Sequence, residues 1–115
     1  MIQVNELDSV NLVDVPFTSI DIEALEQLKN IVEKLFEHNK FQIIINLSKV
    51  EYLSSTGLGL LVYINNKCSE NSGGLAIYGL QDYTLEMVKL TQLDSVLNVF
   101  SSLEEAQKAF SFLIR

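Results

Sequence analysis

One cysteine, one proline and one histidine in 115 residues leave little material for several kinds of protein. Cys68 has no second cysteine to pair with, so an internal disulfide is excluded, and a lone thiol suits a reducing compartment. It is expected to be buried and inert. No stretch approaches the ~18 consecutive apolar residues of a membrane helix, and the opening MIQVNELDSV has neither the basic flank nor the apolar stretch of a secretion signal. The chain is therefore expected to be soluble and cytoplasmic, with no membrane partner. Basic residues are scarce as well. Eight Lys plus Arg stand against fifteen Asp plus Glu, a formal charge of −7 that repels phosphate backbones and anionic lipid, so nucleic acid is not an expected partner.

The motifs of catalysis are missing too. There is no G-x-x-x-x-G-K-[ST] loop, no G-x-G-x-x-G and no metal-spaced Cys/His set. His38 falls at the end of a predicted helix, where a partly positive ring suits the helix dipole and solvent. Ser55 follows a strand and precedes a helix, as a hydrolase nucleophile does. The glycine of G-x-S-x-G is absent two residues before it, however, and so short a chain leaves little room for an acid and a histidine partner. The core strand ends in Asn46 and Leu47, without the carboxylate of a phosphoaspartate receiver. The reading is of a protein that is no enzyme and needs no cofactor or metal.

What is present is apolar patterning. At 48% hydrophobic, residues 1–115 suffice for one compact domain and have no room for a second. Residues 3–15 alternate apolar and polar, which predicts one or two short half-buried strands around a turn at Asp8 and Ser9, ended by Pro16. Over residues 21–38, Leu25, Leu28, Val32, Leu35 and Phe36 recur at helical spacing, with Glu26, Lys29, Glu33, Lys34 and Glu37 opposite. Residues 41–47 (FQIIINL) are β-branched and apolar on both faces, the pattern of a central strand.

A turn at Ser48 and Lys49 leads to SSTGLGLLVYINNK, where hydroxyls followed by Leu58, Leu61, Val62 and Ile64 predict a helix N-terminus. A turn through Asn71, Ser72, Gly73 and Gly74 precedes a strand over residues 75–78. A helix over residues 82–90 follows, with Asp82 as its cap, then a strand over residues 96–100. Ser102 and Glu105 have the spacing of a capping box, and Leu103, Ala106, Phe110 and Leu113 form the last apolar stripe. Strands alternating with helices after a hairpin-like start predict an α/β fold: a mixed central sheet with parallel pairs and an antiparallel edge.

The densest constellation is Ser54, Ser55, Thr56, Gly57, Leu58 and Gly59. Capping a helix needs one hydroxyl, not three. Two glycines near a helix start each cost roughly 0.5–1 kcal/mol relative to Ala, which calls for a compensating close approach of another backbone. On these residues YLSSTGLGLLV resembles the D-S-[ST]-G-L-G signature of STAS domains, the anti-sigma factor antagonist family. Gly73 and Gly74 before a strand, and LTQLDSVLNVFSSLEEA over residues 90–106, extend the resemblance.

The resemblance implies a STAS-like domain with helices mainly on one face of the sheet. It implies phosphorylation at Ser55, with Ser54 standing where the family has aspartate and offering a secondary acceptor. It also implies an unphosphorylated form that binds an anti-sigma factor with serine kinase activity and so releases a sigma factor, and a serine phosphatase that restores this form. The small flat patch Ser55, Gly57 and Gly59 is expected to meet the partner, flanked by Ser54 and Thr56, with apolar contacts from Tyr52, Leu58 and Val62. Packing onto the sheet is the competing reading for Leu58 and Val62. The alternative function is a STAS-like scaffold or sensor subunit that docks partners without a phosphorylation cycle.

Overall fold

The computed structural model describes residues 1–113, with side chains through Phe110; the place predicted for Leu113 in the last apolar stripe lies outside the described side chains. Five strands form one sheet in the order β1 (Gln3–Leu7), β2 (Val10–Asp14), β3 (Gln42–Asn46), β4 (Gly74–Tyr78) and β5 (Asn98–Phe100). β1 and β2 run antiparallel and every other neighbouring pair is parallel, as the alternation of elements predicts. The hairpin turns on Asp8 and Ser9, both at positive φ (50° and 72°), the left-handed pair that a two-residue turn uses to match strand twist.

β3 lies in the middle of the sheet, and Ile43, Ile44 and Ile45 have no exposed surface because both faces are covered. On one face Ile43 and Ile45 pack with α1 (Ile22–Glu37), α2 (Ser55–Glu70) and α3 (Asp82–Leu90), through Leu28, Val32, Leu61, Ile64 and Val88. On the other, Ile44 and Ala76 meet Ala106 and Phe110 of α4 (Leu103–Leu113). Three helices on one face and one on the other agree with the predicted arrangement. Cys68 is buried in the larger core, and burial pushes its thiol up to about 12, so it stays protonated and unreactive near neutrality. His38 is exposed after α1, its Nδ1 2.8 Å from the Lys34 carbonyl oxygen.

Several local expectations are corrected. β1 is exposed along Gln3–Glu6 rather than half-buried, because an edge strand has a neighbour on one side only and the helices centre on the inner strands. The helix predicted to be capped by Asp82 is capped by Gln81, without a side-chain bond to the helix. The Gln81 Nε2 donates instead to the Ser48 carbonyl 3.0 Å away, and Asp82 becomes the first helical residue. The last strand begins at Asn98, not Val96, since Val96 is still bonded back to Leu93 in a 3₁₀ turn over Leu93–Ser95. Half of the predicted capping box forms: the Glu105 N–H donates to Ser102 Oγ, but the Glu105 carboxylate takes its bonds from Ser101 N–H and Oγ.

Candidate functional site

The conspicuous polar group lies where the loop after β3 becomes α2. Asn46, at the end of β3, organises the loop: its Oδ1 accepts from the N–H and Oγ of Ser48, and its Nδ2 donates to Asp14 Oδ1 at 2.7 Å. Buried Val50 and Leu53 pin the loop to the core. Its outer strand is tied to the segment before α1, where Ile20 N–H donates to the Tyr52 carbonyl and Glu51 N–H to that of Thr18. The loop thus delivers residues 54–56 to a fixed place above the carboxyl ends of the parallel strands.

There the three hydroxyls divide their roles. Ser54 is the N-cap, extended at φ −74° and ψ 169°, and its Oγ accepts from Gly57 N–H at 3.2 Å. Ser55 is the first helical residue. Its side chain is exposed, and its hydroxyl forms no hydrogen bond among the described residues. Thr56 is also exposed and lines a groove between α1 and α2 with Leu25, Glu26, Lys29 and Leu60, closed by the Tyr63 hydroxyl donating to Glu33 at 2.9 Å. That bond holds the Tyr63 phenol above its ordinary pKa, since ionisation would lose it and place a second anion beside Glu33.

The two glycines differ. Gly57 is buried, and a Cβ there would sit 2.3 Å from Leu53 Cδ1, so what it admits is a side chain of its own loop rather than another backbone. Gly59 is exposed, and a Cβ at its position would meet nothing within 4 Å. The accessible part of the expected patch is therefore Ser55 and Gly59, four residues apart on one helix face, while Gly57 is turned inward. Of the two readings of Leu58, packing onto the sheet is the one found, as it is buried in the core; Val62 is half-buried against the same core.

Tyr52 is 50% exposed, and its ring stacks on Tyr83 of α3 at 6.0 Å between centroids. Sequence reasoning did not single out Tyr83. The available signal was that α3 buries Thr84 and Val88, a spacing that turns position 83 outward.

Removal of the cap gives a modest, measurable effect. Ser54→Ala is expected to cost about 1 kcal/mol, read as a lower thermal midpoint, while Ser54→Asp holds stability because aspartate caps as well as serine. Among the described residues no group of three His, Cys, Asp or Glu gathers to hold a metal, and no helix is long and apolar enough to cross a membrane.

This mixed sheet with three helices on one face and one on the other is the α/β fold of solved anti-sigma factor antagonists. The chain belongs to the STAS domain family, whose sequence model matches residues 2–106. It is 28% identical over 80 residues to an anti-sigma-B factor antagonist of Staphylococcus aureus, covering 70% of this chain and 74% of that one. An anti-sigma factor antagonist from Mycobacterium paratuberculosis superposes with a TM-score of 0.85 at 25% identity, covering 96% of this chain and 93% of the other. The Bacillus cell fate determinant SpoIIAA in its phosphorylated form shares the fold, with a TM-score of 0.73, 16% identity and coverage of 94% and 97%.

Proposed function

We propose that this chain is an anti-sigma factor antagonist acting in the cytoplasm as a single domain, switched by phosphorylation of Ser55. The unmodified form binds an anti-sigma factor with serine kinase activity and thereby frees a sigma factor. That kinase transfers the γ-phosphoryl group of ATP to Ser55 Oγ, with loss of the hydroxyl proton and departure of ADP, and the phosphorylated form no longer binds. A serine phosphatase returns the hydroxyl by hydrolysis, releasing inorganic phosphate. The protein itself catalyses nothing.

One observation carries this reading: Ser55 Oγ is exposed at a helix start and is not needed for capping, which Ser54 performs. A phosphoserine adds about −1.5 to −2 charges, which a helix N-terminus accommodates through free N–H groups and its dipole. The names of the relatives support the partner, and SpoIIAA, solved in phosphorylated and unphosphorylated forms, supports the tolerance of this fold for a phosphate.

The second reading, a docking scaffold without a phosphorylation cycle, is favoured by the serine at position 54 where the family signature has aspartate. Ser54 keeps the cap but not the charge, so a kinase that reads that carboxylate would lose its contact. Phosphosite mapping on protein isolated from its own cells decides between them. Phosphate is expected on Ser55, with labelling abolished in Ser55→Ala; an unphosphorylated chain under all growth conditions selects the scaffold.

A further inference from the structure

The longer free edge of the sheet is β1, and its backbone phase, its side chains and the groove beside it favour one occupant. We infer that β1 pairs antiparallel with β1 of a second copy of this chain, joining two sheets edge to edge in a symmetric dimer. In the hairpin, Leu7 faces Val10 across a two-residue turn, which makes them a hydrogen-bonded pair, and bonding alternates back along the strand. Leu7, Asn5 and Gln3 therefore turn their N–H and C=O groups toward β2. Val4 and Glu6 turn theirs outward, where β1 has no neighbour in the sheet. A two-fold axis through Asn5 sets Val4 opposite Glu6 of the second copy and Glu6 opposite its Val4, so that four backbone hydrogen bonds form in register.

The side chains fit the same axis. Val4 lies beside Val13 in the ladder, and Val13 belongs to the core under α1, so Val4 and Glu6 stand on the α1 face. On that face a groove of about 370 Å³ has an apolar floor of Val4, Ile31 and Leu35 and a rim of Lys34, His38 and Lys40. A charged residue on an edge strand ordinarily guards against pairing. Here the guard is matched: Lys40 Nζ lies 3.7 Å from Glu6 Oε2, and pairing brings Glu6 of the second copy beside Val4, at the mouth of the basic-rimmed groove. An axis perpendicular to the sheet keeps both α1 helices on one face, so the two apolar floors lie side by side and run into one continuous groove. A five-residue ladder and one shared groove fall below the roughly 1,200 Å² of a stable interface, so the dimer is weak and reversible. It forms at the C-terminal half of α1, away from Ser55, and does not rest on the proposed switch.

Sedimentation of the purified full chain from about 10 μM to about 1 mM tests this. The expected result is a mass that rises from monomer toward dimer, with Val4 and Glu6 amides gaining protection from hydrogen exchange as concentration increases and β5 amides unchanged. Val4→Pro removes an N–H that the chain itself does not use and is expected to weaken association at least tenfold with the fold retained. Val4→Asp, which sets a carboxylate directly opposite Glu6 of the second copy at a position already 39% exposed, is expected to do the same and decides the matter if the proline variant does not fold. A mass that stays monomeric throughout, association unchanged in the Val4 variants, or protection arising elsewhere overturns the inference.

Discussion

Ser55→Asp is expected to bind the anti-sigma factor on the order of a thousandfold more weakly than the unmodified chain, while Ser55→Ala binds nearly as well as wild type. The size follows from desolvation. An interface that covers Ser55 and the adjacent bare backbone of Gly59 must strip water from any charge placed there, and an unpaired buried charge costs at least several kcal/mol, with each ~1.4 kcal/mol worth tenfold. The fold does not share this cost. Ser54 retains the cap, and an anion at the first helical position is favoured by the dipole, so the variant is expected to keep its stability. Calorimetric titration of the partner recovered from the source organism, run beside thermal unfolding of each variant, separates the two quantities. Equal affinity of Ser55→Asp and wild type would sink the switch.

Gly73→Ala is expected to be the most damaging single-methyl change, lowering stability by about 3 kcal/mol or more or preventing folding. A Cβ at position 73 would lie 2.0 Å from the Phe41 carbonyl oxygen and 2.6 Å from its carbon, both backbone atoms leading into β3. Neither side has room to yield. Gly73 N–H is bonded to the Cys68 carbonyl at the end of α2, and Gly74 N–H to the same Phe41 oxygen at 2.9 Å, where β4 begins beside β3. Relief therefore requires moving the central pair of strands, and with it the strand that leads to Ser55. Urea unfolding reads the loss as a midpoint lowered by about 1–3 M, with the same substitution at Gly59, where nothing lies within 4 Å, as the comparison.

Local pattern made much of this molecule legible. The stripe of Leu28, Val32 and Phe36, the apolar run at 43–45 and the hydroxyls before Leu58 each state a period or a cap within a few residues, and each element formed where expected. What failed depended on particular hydrogen bonds that an apolar period does not state, some of them to a distant neighbour and some within a single turn. The cap of α3 moved to Gln81 because that amide reaches Ser48 across the fold, and Val96 left the last strand because the turn before it holds its N–H. The site followed the same division. Its serine was legible in the motif, but Tyr83 entered only through a ring stack with Tyr52, in a loop much earlier in the chain.

The amino-acid order alone determined the α/β class, the central strand and the start of the second helix, because periodicity and capping act over single turns and pleats, while the candidate phosphoacceptor followed from the resemblance of the hydroxyl motif to the STAS signature. Tertiary structure decided which of three hydroxyls caps, which stands free and which lines a groove. It also decided that Gly57 faces inward while Gly59 faces outward, and that β1 is left as an open edge. Those outcomes depend on which surfaces a folded neighbour covers, and no local spacing encodes that.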